Sequence, residues 1–159
     1  MEVVRNFLNH GAIFGIIGKG GFTLLNEAAH NGHGEVVHEL LDHGANVNTK
    51  NKEVFIPLYS AGWCGHFEVV QELLNNGANV NTANNNGWTP LKAAALNGHM
   101  EVVGQLLNHG TNAHIVGKEG LTPLYSAGWS GHFGTRVAES WRSSRYFTGR
   151  LPDVYQYRC

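Results

Sequence analysis

Pairs of apolar residues recur along the chain at a spacing that is typical of amphipathic helices. Val102, Val103, Leu106 and Leu107 stand at positions i, i+1, i+4 and i+5, which places them on one face of a helix with about 3.6 residues per turn. A Val-Val pair also stands at 3–4, 36–37 and 69–70, and a Phe-Leu or Leu-Leu pair follows it each time. The pattern predicts four helices, each with one apolar face, repeated every 33 residues.

A further helix is predicted before each helix that carries a Val-Val pair at 36–37, 69–70 or 102–103, and again at the end of the array. We call the apolar face of the Val-Val helices the apolar stripe. In the third full copy, Thr89 can cap a helix and Pro90 suits its first position. Small residues follow at 93–95, where a neighbouring helix can approach closely, and Gly98 supplies the positive φ at which such a helix ends. The unit is therefore a helix, a turn, a second helix and a hairpin-like loop. We expect the first helices to begin at Leu24, Pro57, Pro90 and Pro123.

The repeated unit also carries the signature of a known family. One such unit cannot bury its apolar stripe alone, so consecutive units have to stack. The segment from Thr89 to Val103, together with the segment from Asn76 to Asn81, resembles the ankyrin consensus, and the resemblance extends over residues 2 to about 133. It implies an all-α ankyrin-repeat solenoid of helix-turn-helix units with hairpin-like loops. It also implies that the array binds partner proteins.

Some loop positions depart from the ankyrin pattern. Asn51 and Asn84 stand where an aspartate is usual, and Val54 replaces the usual glycine of its loop. These departures predict somewhat irregular hairpins, especially between residues 49 and 57.

The chain divides into a repeat array at residues 1–134 and a non-repeat, Arg-rich tail at residues 135–159. The array contains half a repeat at 2–17, full repeats near 18–50, 51–83 and 84–116, and a partial repeat at 117–133. The array begins inside a repeat, so Met1 is either an internal start or part of a longer chain, and we favour the interpretation that this chain is a piece of a longer one. The tail does not continue the apolar stripe, and an altered splice, a changed reading frame or a poorly conforming cap are all open origins for it.

Charge and composition narrow the function classes. The chain has 11 Lys and Arg against 12 Asp and Glu, a formal net charge of −1, so we expect neither nucleic acid nor an anionic membrane surface as the partner. The apolar run at 12–17 is too short to insert across a membrane. Asn-x-Ser/Thr acceptors are absent from the sequence. We therefore expect an intracellular protein, in the cytoplasm or the nucleus.

Three candidate chemistries do not fit the sequence. Seven of the 10 histidines stand at two repeated positions, four in the Gly-His pair of each unit and three (His10, His43 and His109) before the Gly that ends a helix, so they lie along the stack and do not converge on one metal ion. The glycines around Lys19 do not have the spacing of a phosphate-binding loop. Cys64 occupies a position held by Asn97 and Ser130 in other repeats and has no fixed base partner as a nucleophile. We expect no metal, no cofactor and no catalytic residues.

Large side chains at two repeat positions form the candidate binding surface. One position comes just before the Thr-Pro-Leu that begins the first helix, or its equivalent, and the other lies two residues before the Gly-His pair. Aromatic rings there are expected to contact a partner, because they bury much area with few rotatable bonds. The ring candidates are Phe22, Phe55, Trp63, Trp88 and Trp129, and the expected polar rim is Lys52, Glu53, Asn85, Asn86, Lys118 and Glu119. The open alternative is that the rings pack on the adjacent repeat and brace the stack.

These observations predict a monomeric, non-catalytic module that binds another protein through its loop tips and concave face. The alternative is a spacer or regulatory array that belongs to a larger enzyme, channel or ubiquitin-ligase adaptor. The Arg-rich tail could bind RNA or an acidic surface, although a solvated chain end is the favoured interpretation.

Overall fold

A computed structural model describes residues 2–11, 15, 21–52 and 54–130 of the chain. The predicted tail at 135–159, the candidate residue Glu53 and the glycine-rich segment around Lys19 lie outside the described residues. Eight helices occur in the described part. They are α1 (Glu2–Asn9), α2 (Leu24–His30), α3 (Gly34–Asp42), α4 (Pro57–Cys64), α5 (Phe67–Asn75), α6 (Pro90–Leu96), α7 (Met100–Asn108) and α8 (Pro123–Trp129).

The helices form two layers. The first helices of the repeats, α2, α4, α6 and α8, contact one another in chain order, and so do the second helices, α1, α3, α5 and α7. Each complete repeat also packs its first helix on its second, as α2 on α3, α4 on α5 and α6 on α7. The predicted stripe forms the core between the layers, where Leu40, Leu73 and Leu106 are fully buried. The all-helical stack with this register is therefore as predicted.

The first helices begin where the sequence predicts, and three of them are capped by threonine. The hydroxyl of Thr89 accepts a hydrogen bond from the backbone N–H of Lys92, and Thr23 and Thr122 do the same in their repeats. Ile56 stands at the equivalent position before α4, and its side chain cannot accept a hydrogen bond. The local signal for the start of α4 is therefore Pro57, at the first position of the helix.

Side chains of one repeat also bind the backbone of the preceding repeat. His66 donates from Nε2 to the carbonyl oxygen of His30 at 2.9 Å, and His99 donates to the carbonyl oxygen of Trp63 at 3.0 Å. The ring of His99 lies so close to Gly65 that a Cβ there would come within 2.4 Å of it. These two histidines of the Gly-His pairs therefore join repeats, which gives a structural role to part of the histidine periodicity.

The hairpin loops are more regular than predicted. The loop at 84–88 is closed by hydrogen bonds from Asn84 N to Trp88 O at 2.9 Å and from Gly87 N to Asn84 O at 2.9 Å. The loop at 51–55 has the equivalent bonds, at 3.1 and 3.0 Å, and both asparagine side chains accept backbone N–H groups as an aspartate would. The irregularity expected between 49 and 57 is therefore wrong for the hydrogen bonding of this loop. What sets this loop apart is that a valine, Val54, takes a positive φ that glycine takes in the other repeats.

Val54 has a φ of 67°, in the left-handed region, and is the one non-glycine residue with positive φ among those described. Its counterparts in the other repeats are Gly21, Gly87 and Gly120, with φ between 75° and 76°. A β-branched side chain is strained in this region, at a cost of about 1–2 kcal/mol, whereas glycine adopts it freely.

Replacing Val54 by glycine is expected to raise the free energy of unfolding by about 1 kcal/mol. The relief of backbone strain exceeds the entropy that glycine adds to the unfolded chain, about 0.5–1 kcal/mol. Chemical denaturation of Val54→Gly and wild type measures the difference. The matched control is Gly87→Val, which imposes the same strain one repeat later and brings a Cβ within 3.0 Å of the Gly117 backbone, so it should lose stability. A Val54→Gly protein that is less stable than wild type would show that backbone strain at Val54 does not lower the stability of the protein.

Candidate protein-binding site

The polar candidates lie at the turns of successive hairpin loops. Lys52, Asn85, Asn86 and Lys118 are all exposed. The loops are joined to each other as well, because Lys118 N donates to the carbonyl oxygen of Asn86 at 3.0 Å. These exposed side chains therefore stand on backbone that is held in place by hydrogen bonds. The bonds lie within each loop and, between Asn86 and Lys118, join one loop to the next.

Three of the five aromatic candidates are buried. Phe55, Trp63 and Trp88 form a row of rings with Tyr59, which we call the aromatic row. Ring centroids are 4.6 Å apart for Phe55 and Tyr59, 6.3 Å for Tyr59 and Trp63, and 6.1 Å for Trp63 and Trp88. These are distances at which aromatic pairs attract. Because the row runs from the second full repeat into the third, its burial supports the alternative that these rings brace the stack.

The other two aromatic candidates remain partly open to solvent. Phe22 precedes the cap of α2 and Trp129 ends α8, and both are half-buried. Of the five rings chosen from the sequence, these two retain surface that a partner could contact.

An ionic cluster adjoins the aromatic row. The side chain of Lys92, on α6, is only 2% exposed, and its Nζ lies 2.8 Å from Oε2 of Glu119 and 4.7 Å from the centroid of the Trp88 ring. The indole N–H of Trp88 donates to the other oxygen of the same carboxylate. Partial burial acts to raise the pKa of Glu119, but the hydrogen bonds from Lys92 and Trp88 outweigh it and lower that pKa. Glu119 was predicted as part of the rim, and here it binds the neighbouring repeat.

Two members of these clusters were not among the residues predicted from the sequence. Tyr59 and Lys92 occupy the same position of their first helices, 33 residues apart. Phe55, Tyr59 and Trp63 follow each other at intervals of four, a spacing that places Tyr59 and Trp63 on one face of α4. That spacing could have identified Tyr59, whereas no local pattern links Lys92 to Glu119.

The second helices carry a different electrostatic character. Glu35 and Glu39 of α3 and Glu68 and Glu72 of α5 line a groove of about 610 Å³ together with Arg5 and His38. The hydrogen bond from Arg5 lowers the pKa of Glu39, and the contact with Glu72 at 2.9 Å raises the pKa of His38. Glutamates at 2, 35, 68 and 101 share one repeat position, a periodic signal in the sequence that indicates an acidic face on the second helices. The second-helix layer is thus acidic, while exposed lysines stand at the loop tips.

Comparison with protein families identifies the repeat. The sequence profile described as ankyrin repeats (3 copies) matches residues 1–84 and 58–136. The chain belongs to the ankyrin repeat family. The predicted family and the all-α ankyrin solenoid are thereby confirmed. A search of curated proteins found no match to this ankyrin chain.

Family membership fixes the general function and leaves the partner open. Ankyrin repeats are in general protein–protein interaction modules, and the family is typically non-catalytic. None of the described helices combines the length and apolar character that crossing a membrane requires. Within the described residues, no group of three His, Cys, Asp or Glu side chains could hold a metal ion. Exposure and geometry therefore indicate which ankyrin surface is available to a partner.

Proposed function

We propose that this chain binds a partner protein through the tips of its hairpin loops, with the open ends of the first helices as the neighbouring part of the same surface. The observation that carries the proposal is the row of exposed polar side chains at successive loop turns, Lys52, Asn85, Asn86 and Lys118. Phe22 and Trp129, which are half-buried, supply the apolar part of the surface.

The hydrogen bonding of the loops supports this choice of surface. Each tip is closed on itself by a backbone bond, and Lys118 is bonded to the preceding tip through Asn86. A surface that is already ordered loses little conformational entropy on binding, which favours affinity. The exposed lysines and amides match a partner surface that offers carboxylates and hydrogen-bond acceptors.

The buried rings have an indirect role in the proposed binding. Phe55 and Trp88 stand directly beside their loops, and the backbone N–H of each is bonded to the asparagine that opens the loop. We infer that the rings of the aromatic row position the tips and do not themselves contact the partner. We further propose that the module acts inside the cell, without a catalytic step of its own; the lack of Asn-x-Ser/Thr acceptors supports that location.

The proposal is tested by capture of cellular proteins on the immobilised chain. The tip variant is Lys52→Glu with Lys118→Glu, and the matched control reverses two exposed charges on the second helices, Glu68→Lys with Glu101→Lys. Proteins retained by wild type should be lost on the tip variant and kept on the control, with all three chains unfolding at the same temperature. Retention by the tip variant, or loss on the control alone, would contradict a loop-tip surface.

A further inference from the structure

Asn-Gly pairs stand at four places in the chain, 31–32, 76–77, 86–87 and 97–98. In such a pair the backbone nitrogen of the glycine can reach the side-chain carbonyl carbon of the asparagine, because glycine has no Cβ to obstruct the approach and turns easily about its backbone bonds. The four pairs share this local chemistry. They differ in how firmly the fold holds the asparagine side chain.

At the three pairs that follow helices, hydrogen bonds hold the side-chain amide of the asparagine. The acceptors are the carbonyl oxygen of Glu27 for Asn31 at 2.8 Å, that of Glu72 for Asn76 at 2.9 Å, and those of Trp63 and Ala93 for Asn97 at 3.1 and 3.2 Å. Each of these side chains has to break at least one hydrogen bond before it can turn towards the glycine nitrogen. A bond of ordinary strength slows such a step about fivefold.

Asn86 lies at the tip of the loop at 84–88 and is held differently. The residue is exposed, and within the described part of the chain its side-chain amide makes no hydrogen bond. Its backbone carbonyl oxygen accepts a hydrogen bond from Lys118 N at 3.0 Å. That bond polarises the peptide group between Asn86 and Gly87, so it favours loss of the Gly87 N–H proton.

The glycine N–H groups do not distinguish three of the pairs. Gly87 N donates to a carbonyl oxygen at 2.9 Å, Gly77 N at 3.0 Å and Gly98 N at 3.3 Å, so each nitrogen has to leave one hydrogen bond. Asn76 is exposed, as Asn86 is. The hydrogen bonding of the side-chain amide is therefore the main difference between these two asparagines.

We propose that Asn86 is a site of spontaneous deamidation, which the fold selects from the four Asn-Gly pairs. The Gly87 nitrogen loses its proton and bonds to Cγ of Asn86, and the amide nitrogen leaves as ammonia. Water then opens the cyclic imide. Breaking the bond between the nitrogen and Cγ leaves aspartate, whereas breaking the bond between the nitrogen and the backbone carbonyl carbon leaves isoaspartate, in which the chain continues through Cγ.

The product changes the junction between two loop tips. Either product adds a negative charge beside Lys118, and isoaspartate also lengthens the main chain and displaces the carbonyl oxygen that Lys118 N binds. The junction is tight, since a Cβ on Gly87 would lie 3.0 Å from Cα of Gly117. Isoaspartate is therefore expected to separate the two tips. An effect on partner binding rests on the proposed loop-tip function, whereas the deamidation itself does not.

The test follows all four pairs in the full chain during incubation at mildly alkaline pH. Asn76 and Asn86 lie on one tryptic peptide, residues 53–92, so fragment masses compare the two asparagines in the same sample. Asn86 is expected to convert about fivefold faster than Asn76, the factor for one side-chain hydrogen bond, and also faster than Asn31 and Asn97. An Asn86 that stays intact, or that converts no faster than Asn76, would overturn the proposal.

Two controls separate the effect of the fold from that of the local sequence. In urea, which unfolds the chain, the four pairs should convert at similar rates, and a preference for Asn86 that persists there would refute selection by the fold. Asn86→Gln should stop conversion at this position, because the longer side chain has to close a larger ring. Asn85→Gln makes the same change at the neighbouring exposed asparagine and should leave the conversion of Asn86 unchanged.

Binding by the deamidated chain is a separate readout. The deamidated chain is separated from the unmodified chain by its charge and is expected to capture less of any partner that the Lys52→Glu, Lys118→Glu variant loses. Equal capture by the two forms would refute the effect on binding, while the measured conversion rates would still decide the deamidation.

Discussion

Replacing Trp63 by alanine is expected to lower the free energy of unfolding by about 3–5 kcal/mol, the usual cost of emptying a core aromatic site. The indole ring is buried between Tyr59 and Trp88, with centroids 6.3 and 6.1 Å away, so its removal leaves a cavity between two repeats. The loss of two aromatic contacts adds to the loss of buried area. Equilibrium denaturation of the variant and wild type measures the difference.

The control for this prediction is Met100→Ala, which removes a large apolar side chain that is exposed at the start of α7. Its effect should stay within about 0.5 kcal/mol, as for surface substitutions in general. Trp63→Phe, which keeps a ring in the row, should fall between the two. A Trp63→Ala protein that unfolds like wild type and fails to bind a partner would show instead that Trp63 is a contact residue, as its repeat position first suggested.

The repeat architecture was predictable because each of its signals recurs. The prolines at 57, 90 and 123 begin helices because they stand at one position of a 33-residue period, where a missing N–H costs nothing. Most stripe residues of the complete repeats are buried by neighbours that the same period places beside them, as Leu73 is in the second full repeat. Each of these signals alone is weak evidence for a helix boundary or a buried position. Because they all recur in the same 33-residue register, together they predict the positions of the helices.

The surface was less predictable, because burial in a stack depends on the neighbouring repeat. Trp63 shares its position with His30, Leu96 and Trp129, and the sequence shows that all four lie at the same place in the repeat. It does not show that the Trp88 ring, from a residue 25 positions later, packs against Trp63. The bond between Lys92 and Glu119 likewise joins residues from different repeats, so neither residue looked paired in the sequence.

Neutralising Glu119 is expected to be the most costly single change in the ionic cluster. Glu119→Gln keeps the shape of the side chain but removes the charge that compensates Lys92, whose side chain is 2% exposed and cannot be rehydrated in place. Breaking a buried pair from one side costs about 3–5 kcal/mol, and the partial exposure of Glu119, at 23%, places this pair at about 2–3 kcal/mol. Denaturation at neutral pH measures it.

The companion variants decide whether the cost arises from an uncompensated lysine. Lys92→Met removes the buried charge and leaves Glu119 in reach of water, so it should cost less than Glu119→Gln. In the double variant no charge is left unpaired, and the two effects should be clearly non-additive, with most of the Glu119→Gln loss recovered. Additive losses would show that Lys92 and Glu119 stabilise the protein independently of each other.

The pH dependence provides the last test of the same cluster. The pKa of Glu119 is lower in the folded protein than its ordinary value of about 4.3, because the hydrogen bonds from Lys92 and Trp88 favour the carboxylate. The folded state thus binds this proton less readily than the unfolded state, and the stabilisation is complete above about pH 4.3 and is lost as the pH falls through the folded pKa. We expect the stability difference between wild type and Glu119→Gln to be constant near neutral pH and to shrink below about pH 4. A difference that persists unchanged into strong acid would mean that the carboxylate charge of Glu119 does not stabilise the fold.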